Sequence, residues 1–242
     1  MLKLEHAAFG VPGAEGIVKD VTLTAEEGRL VVITGPNGGG KTSIAKLIAG
    51  LYPLSGGRIL LDGEDISTCD VTQRAQKGIA YAFQQPVRFK GLTVKDLLEL
   101  AAGKPLKEEL LCHLLSQVGL CAEEYLEREL NASLSGGEIK RIEIASVLAR
   151  KAKVAIFDEP EAGIDLWSFS KLVETFQFLR KNGKGTLLVI SHQERILSIA
   201  DEIVVIADGR VRMAGSKDEI LPKLLKDERA SRCPRRKETA VI

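Results

Sequence analysis

The sequence predicts an α/β protein with a mainly parallel core sheet, a small antiparallel β-subdomain and an inserted helical subdomain. Short, almost wholly apolar runs alternate with helical patterns, which is typical of a parallel sheet covered on both faces. The first strands instead alternate between apolar and polar residues, which is typical of a small antiparallel sheet. A central stretch, from about residue 85 to residue 133, holds helical patterns and no convincing strand.

The individual elements follow from these patterns. The antiparallel pair is predicted at Leu2–Phe9 and Ile17–Leu23, joined through a segment rich in glycine and proline. The core strands are predicted at Leu30–Thr34, Ile79–Phe83, Val154–Phe157, Thr186–Ile190 and Ile203–Ile206. The helices are predicted at Thr42–Leu51, Val94–Ala102, Lys107–Val118, Glu138–Arg150, Trp167–Arg180 and Gln193–Ala200.

Composition narrows the class of protein. With 242 residues, of which 45% are hydrophobic, residues 1–225 are expected to form one domain and the charged residues 226–242 a flexible tail. The formal net charge of +1 gives no reason to expect nucleic acid as a partner. No apolar run reaches the roughly 20 residues of a membrane-spanning helix, and the N-terminus turns acidic at Glu5, too early for a signal peptide. The four cysteines are widely spaced, so we expect neither disulfides nor a zinc site, and a cytoplasmic location.

A glycine-rich loop between a predicted strand and a predicted helix has the spacing of a phosphate-binding P-loop. Glycines let successive N–H groups converge on one point, and the helix N-terminus behind them adds a positive dipole. Lys41 is expected to reach the outer phosphates, and the Thr42 hydroxyl to bind Mg²⁺. The expected nucleotide-binding residues are Gly35, Pro36, Asn37, Gly38, Gly39, Gly40, Lys41, Thr42 and Ser43.

A second chemical feature is the pair of carboxylates at the end of the strand Val154–Phe157. Side chains alternate along a strand, so Asp158 and Glu159 point in different directions and can serve different atoms. Asp158 is expected to hold Mg²⁺ through water, whereas Glu159 can polarise a water that attacks the γ-phosphate of a nucleotide.

A third feature is a second candidate anion site. Ser135 and Glu138 have the spacing of a helix capping box, but the two glycines between them weaken a helix start. Bare N–H groups and a serine hydroxyl at a helix N-terminus suit a phosphate. The chain therefore contains two phosphate-binding devices.

These motifs, in this order, resemble those of the ATP-binding cassette (ABC) ATPases, and the resemblance covers nearly the whole chain. Leu134–Glu138 is similar to the family signature, Phe83–Gln84 to its glutamine loop, and Ile190–His192 to its switch histidine. The resemblance implies a P-loop NTPase with an ABC-type nucleotide-binding domain that hydrolyses ATP with Mg²⁺ and works as a head-to-tail dimer, either a homodimer or a pair with another ABC subunit.

The resemblance also assigns roles to individual residues. ATP on the P-loop of one copy would be covered by the signature of another copy, which comprises Ser135, Gly136, Gly137 and Glu138. Gln84 would contact Mg²⁺ and the attacking water, and His192 the γ-phosphate. Glu159, His192 and Gln84 are thus the expected catalytic residues, Thr42, Gln84 and Asp158 the Mg²⁺ site, and Asp165 part of the dimer seam.

Three positions depart from the usual family pattern. Gly39 stands where the family usually has alanine, serine or cysteine, so the loop is expected to be more flexible. Ala162 stands where serine is common, which removes a hydroxyl contact across the dimer. Phe9 is the candidate for the aromatic ring that stacks on adenine, where tyrosine is commoner, and a core phenylalanine is the open alternative.

Three branches of the family are considered, and they differ in the partner on which the ATPase acts. Two stretches resemble SufC, the iron–sulfur cluster assembly ATPase of the SUF system. They are Ala82–Val87 and Ser135–Ile144, and the second includes Glu143. That resemblance favours a soluble SUF-type scaffold as the partner. The alternative is an ATP-binding subunit of a membrane ABC transporter, which would be peripheral to the membrane. The segment Asp208–Val211 is as similar to the corresponding segment of such subunits. A DNA-repair or ribosome-associated protein fits least, because the chain has no basic excess.

Overall fold

Two β-sheets organise the computed structural model, which describes residues 1–10, 16–84, 89–131, 133–182 and 185–232. The first sheet has the strand order β2-β1-β4-β5, and its strands are β1 (Leu2–Phe9), β2 (Val18–Ala25), β4 (Gly56–Leu61) and β5 (Glu64–Asp65). The second has the order β10-β9-β3-β8-β7-β6, and its strands are β3 (Leu30–Thr34), β6 (Ile79–Ala82), β7 (Val154–Asp158), β8 (Thr186–Ile190), β9 (Glu202–Ala207) and β10 (Arg210–Ser216).

Nine helices occur in the described residues. They are α1 (Lys41–Ala49), α2 (Val71–Gln76), α3 (Val94–Ala102), α4 (Glu108–Gln117), α5 (Ala122–Tyr125), α6 (Gly136–Ala149), α7 (Leu166–Asn182), α8 (Glu194–Leu197) and α9 (Lys217–Arg232). No helix among these residues is both long and apolar enough to span a bilayer.

The core sheet is buried on both faces, as its apolar strands require. Alternate residues of β3 enter two different hydrophobic clusters: Val31 and Ile33 pack with α1 and the first sheet, whereas Leu30 and Val32 pack with α6 and α7. All neighbouring strands of this sheet run parallel except β9 and β10, which are antiparallel. The predicted fold class is confirmed.

The antiparallel β-subdomain is larger than the pattern predicted. β1 pairs with β2 as expected, but it also pairs with β4, which in turn carries β5. Neither β4 nor β5 was predicted, and the short helix α2 was missed as well. β10 also lies outside the predicted elements: its residues alternate between exposed and half-buried, none is fully buried, and it lacks the apolar run of the core strands.

The inserted segment is helical in the part that the structure describes. α3, α4 and α5 pack around α6, and the only β-bridge found there joins Thr93 to Glu129. Residues 85–88 and 132, within the predicted insertion, lie outside the described residues. So do residues 11–15, between the first two predicted strands, and residues 233–242 of the predicted tail. α9 runs across the predicted boundary at residue 225.

Candidate functional site

The candidate site lies where the carboxyl ends of the parallel core strands meet. β3, β6, β7 and β8 end at the same edge, and the register sets Asp158 at the end of β7 opposite Ile190 at the end of β8. The glycine-rich loop follows β3, Gln84 follows β6, and His192 follows β8. A parallel sheet thus brings together residues that are far apart in the sequence.

The glycine-rich loop wraps around the N-terminus of α1. Gly35, Gly38 and Gly40 have φ values of 131°, 77° and 103°, which side-chain-bearing residues rarely adopt. Gly40 precedes the first helical residue and no side chain caps the helix, which also has no acidic residue in its first turn. The first N–H groups of α1 are therefore left for an anion.

Lys41 lies folded over this loop. Its Nζ donates to the carbonyl oxygens of Gly35 and Pro36, both at 2.8 Å. Burial lowers the pKa of Lys41, although the carboxylates of Glu159 and Asp158 act in the opposite direction. The ammonium group is thus positioned and partly desolvated before any ligand arrives, which strengthens its attraction for a phosphate.

Asp158 is buried and both of its oxygens are hydrogen-bonded. Thr42 Oγ1 donates to Oδ1 at 3.1 Å, and the Tyr81 hydroxyl donates to Oδ2 at 2.8 Å. Burial raises the pKa of Asp158, and the same desolvation raises the pKa of Tyr81. Tyr81 was not singled out from the sequence, although the strand that carries it, Ile79–Phe83, was predicted.

Glu159 stands on a bend in the backbone. Its φ is 47°, in the left-handed region, and its N–H donates to the Ile190 carbonyl at 3.0 Å, which continues the β7–β8 pairing by one residue. Gln84 Nε2 donates to Glu159 Oε2 at 2.7 Å. A left-handed residue other than glycine costs of the order of 1 kcal/mol and is often found at functional sites.

A cavity of about 390 Å³ joins these groups. It is lined by Ile17, Asn37, Gly38, Gly40, Lys41, Thr42, Ser43, Gln84 and Glu159. The predicted P-loop and two predicted catalytic groups therefore share one cavity. Ile17, an exposed apolar side chain at its rim, was predicted only as the start of a strand.

The residues predicted to hold Mg²⁺ are chemically suited to it. The Thr42 hydroxyl, the Asp158 carboxylate and the Gln84 amide offer hard oxygen donors, which Mg²⁺ prefers. Among the described residues, no three histidine, cysteine, aspartate or glutamate side chains form a metal cluster on their own. A Mg²⁺ ion there would take its remaining oxygens from nucleotide and water.

His192 and its neighbour occupy the end of β8. His192 is exposed, and its pKa is lowered by partial burial and by the positive charge of Lys41. Ser191 is buried, and its hydroxyl donates to Glu161 Oε1 at 2.5 Å while accepting from the Gln193 N–H at 3.0 Å. The Ser191–Glu161 contact was not anticipated from the sequence.

The predicted signature begins α6 away from the cavity lining. Ser135 caps the helix: its Oγ accepts from the Glu138 N–H at 3.2 Å, and its own N–H donates to Glu138 Oε2 at 2.7 Å. The Tyr125 hydroxyl also donates to Glu138. These contacts, the Tyr125 one first, lower the pKa of Glu138 to about 2.

The two glycines of the signature have different surroundings. A Cβ at Gly137 would lie 2.9 Å from the Gly163 carbonyl oxygen, so glycine allows the loop before Asp165 to approach. A Cβ at Gly136 would meet no atom within 4 Å, and Gly136 is exposed like Ser135. The exposed face of the signature is thus free to contact a ligand held elsewhere.

Asp165 begins α7. Its carboxylate accepts from the N–H groups of Trp167 and Ser168, both at 3.0 Å, and from the Ser168 hydroxyl at 2.6 Å, and that hydroxyl chiefly lowers the pKa of Asp165. The next two side chains are unusually exposed for their size, Leu166 at 69% and Trp167 at 85%. The dimer-seam role of Asp165 stays a prediction.

Phe9 and Gly39, two of the departures from the family pattern, are both packed against neighbouring groups. Phe9 is only 9% exposed and stacks on Tyr52, with ring centroids 4.6 Å apart, which favours the core alternative, and its contact with adenine stays a prediction. Gly39 is buried, and a Cβ there would lie 2.9 Å from the Ile206 carbonyl oxygen. Close packing against β9, rather than greater flexibility, therefore explains this glycine.

Sequence comparisons agree with the geometry. A family model described as ABC transporter matches residues 18–162. The uncharacterized ABC transporter ATP-binding protein MJ0035 of Methanocaldococcus jannaschii is 39% identical over 216 residues, 86% of each chain. The lipopolysaccharide export ATP-binding protein LptB of Escherichia coli is 33% identical over 213 residues, 85% of this chain and 86% of LptB. A probable ATP-dependent transporter of Synechocystis, slr0075, is 34% identical over 234 residues, 90% of each chain.

Solved structures agree with the fold. The dimeric ATP-binding cassette MJ0796, in a post-hydrolysis state with ADP and Pi, superposes with a TM-score of 0.80 at 23% identity, over 90% of this chain and 99% of that one. An ATP-binding subunit of an ABC transporter superposes with a TM-score of 0.81 at 26% identity, over 96% of this chain and 98% of that subunit.

Proposed function

Because the chain belongs to the ABC transporter family of ATP-binding cassettes, we propose that it is the ATP-binding and ATP-hydrolysing subunit of a membrane transporter. The observation that carries this proposal is the convergence of Lys41, Gln84 and Glu159 on one cavity. The relatives named as transporter ATP-binding proteins support the choice of a transporter.

ATP would bind with its phosphates in the glycine-rich loop. The N–H groups at the start of α1 and the Lys41 ammonium provide the positive potential for them. The signature at Ser135 is exposed and outside the cavity lining, so we propose that a second copy supplies it to the nucleotide, in a head-to-tail dimer. His192 would approach the γ-phosphate from the end of β8.

Glu159 is proposed as the group that accepts a proton from the attacking water. Gln84 holds one of its oxygens at 2.7 Å, which leaves the other for the water. Mg²⁺ bound beside Thr42, Gln84 and Asp158 would neutralise charge that develops on the phosphates. A positioned general base contributes typically 10²- to 10⁴-fold to the rate.

The hydrolysis proposal is tested with Glu159→Gln, which keeps the hydrogen-bonding shape but removes the base. We expect ATP binding to persist, turnover to fall at least about 100-fold, and a dimer to accumulate with ATP in size-exclusion chromatography. Lys41→Ala is the comparison variant: it removes the phosphate-binding ammonium group instead of the base, and it should lose nucleotide binding in calorimetry. Ready ATP turnover by Glu159→Gln would remove Glu159 from this role.

The SufC interpretation is not supported by the comparisons, which favour the transporter alternative. The resemblance of two stretches to SufC leaves iron–sulfur assembly as the second candidate. The two stretches that resemble SufC touch each other, since the Phe83 N–H donates to Glu143 Oε1 at 2.7 Å. Gln85 to Val87, the rest of the first stretch, lie outside the described residues.

Isolation of the partner separates the two candidates. The tagged chain is purified from its native cell in mild detergent, and the proteins that accompany it are identified by mass spectrometry. A membrane protein with several spanning helices is expected, and the chain would then work at the cytoplasmic side of that membrane. A soluble scaffold rich in β-structure would instead support iron–sulfur assembly and overturn the transporter proposal.

A further inference from the structure

A buried positive charge on α6 faces the start of the loop that carries Gln84. The side chain of Lys140 is 0% exposed. Its Nζ donates to the Phe83 carbonyl oxygen and lies 3.4 Å from the Gln84 carbonyl oxygen. A lysine is almost never fully buried unless it is paired, so this position calls for an explanation beyond packing.

Glu143, almost one helical turn further along α6, completes the arrangement. Its Oε1 accepts from the Phe83 N–H at 2.7 Å, and its Oε2 lies 3.4 Å from Lys140 Nζ. Desolvation raises the pKa of Glu143 and lowers that of Lys140, as expected for charges taken out of water together. Helix α6 therefore holds both the N–H and the carbonyl oxygen of Phe83.

Such a pair is an inefficient way to stabilise a core. Buried ion pairs often add less stability than apolar residues of the same volume, although removal of one partner alone is costly. Their best-attested benefit is a defined geometry. In this chain, the geometry that they define is that of the backbone at Phe83 and Gln84.

That backbone leads directly to the proposed site of water activation. Gln84, the next residue, donates its amide to Glu159. At the other end, Lys140 lies five residues after Ser135, and the helical rise of 1.5 Å per residue separates them by roughly 7 Å along α6. One stretch of helix thus connects the exposed signature to the residue that holds Glu159.

We propose that Lys140 and Glu143 are positioning residues that fix Gln84 against Glu159 and connect the signature end of α6 to the hydrolytic site. Neither side chain touches the nucleotide cavity, so both act through Gln84. This inference rests on the proposed function, because it assumes that Glu159 activates water. It predicts that loss of the pair impairs the chemical step and spares nucleotide binding.

The test is a double-mutant cycle between Lys140→Met and Gln84→Ala, measured as steady-state ATPase activity with Mg²⁺. Lys140→Met keeps an unbranched side chain, one atom shorter, but removes its donor. We expect kcat to fall about 10-fold or more while the KM for ATP changes less than about 3-fold. In the Gln84→Ala background, Lys140→Met should have little further effect, because the two residues act as one unit.

Two variants keep the test informative if Lys140→Met folds poorly. Lys140→Arg retains a donor and should recover most of the lost kcat. Glu143→Gln retains an acceptor for the Phe83 N–H but loses the charge, so it should reduce kcat less than Lys140→Met does. Urea unfolding of every variant separates loss of fold from loss of positioning.

Lys171→Met is the matched control. Lys171 forms the same i,i+3 pair with a glutamate, Glu174, at 3.1 Å, but on the exposed surface of α7. We expect it to leave kcat unchanged. Additive effects of Lys140→Met and Gln84→Ala, or a loss of nucleotide affinity equal to the loss of kcat, would overturn the positioning role. A wild-type chain without ATPase activity would instead overturn the proposed function.

Discussion

Gly35 and Gly38 lie in the same loop but differ sharply in the space around them. A Cβ at Gly35 would lie 1.9 Å from the Ile206 carbonyl oxygen, whereas a Cβ at Gly38 would meet no atom within 4 Å. Both residues have φ in the left-handed half of the map, at 131° and 77°. Alanine at position 38 therefore meets only conformational strain, and alanine at position 35 also collides with the backbone of β9.

We accordingly expect Gly38→Ala to cost about 1 kcal/mol of unfolding free energy and to keep most nucleotide affinity. Gly35→Ala should cost more than about 2 kcal/mol, because the loop must leave its position against β9. Urea unfolding and calorimetric titration with ATP measure the two effects. Equal losses of unfolding free energy in the two variants would show that the close approach to Ile206 does not hold the loop in place.

Residues that share a motif were the easiest to predict. The P-loop and the acidic pair follow parallel strands, so their convergence at one sheet edge could be inferred from the pattern. Tyr81 could not be identified, because its hydroxyl contact with Asp158 depends on how two strands are arranged in space. The sequence left two roles open for Phe9, because a phenylalanine at the end of a strand suits a core as well as a binding surface, and its stacking on Tyr52 favours the core.

At the scale of elements, Arg74 of α2 supports the last turn of α1, which ends at Gly50 in the left-handed conformation. Its guanidinium is buried and donates to the Leu47 and Ile48 carbonyls of α1, and to the carbonyls of Ser67 and Cys69. Leu47 and Ile48 are in the last turn of that helix, where carbonyl oxygens lack the usual helical partner. The Leu47 carbonyl also accepts from the Gly50 N–H at 3.2 Å, so Arg74 is its second donor. The same helix begins at the P-loop, so Arg74 supports the cradle from its far end.

Arg74→Met should destabilise the protein by about 3 to 5 kcal/mol, because several buried carbonyls lose their donor together. Chemical unfolding measures this change. Arg58→Met is the control, since Arg58 is exposed and pairs with Glu5 at the surface, where such pairs contribute about 1 kcal/mol or less. A loss for Arg74→Met no larger than that for Arg58→Met would contradict the capping role.

The start of α6 should respond to acid. The pKa of Glu138 is lowered to about 2 by the hydroxyl of Tyr125 and by Ser135, against a value of 4.5 without those contacts. A lowered pKa means that the contact stabilises the fold above pH 4.5 and that this stability is lost as the pH falls from 4.5 towards 2. The signature helix should therefore loosen in that window.

The measurement compares wild type with Glu138→Gln at pH 7 and at pH 3. Wild type should be the more stable at pH 7, and the difference should shrink at pH 3. Glu123→Gln, at an exposed position in α5, controls for general effects of charge removal. A difference between wild type and Glu138→Gln that does not depend on pH would exclude the carboxylate as the stabilising group.

Elements buried on both faces were predicted more successfully than those at the edges. The five apolar runs became β3, β6, β7, β8 and β9, with ends that match or differ by one residue. β4, β5 and α2 are short or mostly exposed, so their residues lack the apolar periodicity on which such predictions depend. Their positions follow from pairing with β1 and packing on α1, which are tertiary contacts.

At the scale of the whole molecule, the core sheet separates two hydrophobic clusters. One unites the first sheet with α1, and the other unites the inserted helices with α6 and α7. The nucleotide cradle belongs to the first side and the signature to the second, so motion of one side relative to the other would change the alignment of the two devices. The existence of both sides was predictable, whereas the contacts of α6 with the glutamine loop were not.

The exposed indole beside Asp165 gives the molecule an optical reporter at the position where two copies are proposed to meet. Trp167 is the only tryptophan of the chain, so all indole emission comes from one site. In the free chain it faces water and should emit at long wavelength. When ATP brings two copies of Glu159→Gln together, its emission should shift to shorter wavelength, and Trp167→Phe should abolish the signal. An unchanged spectrum on a dimer seen by chromatography would show that the seam lies elsewhere.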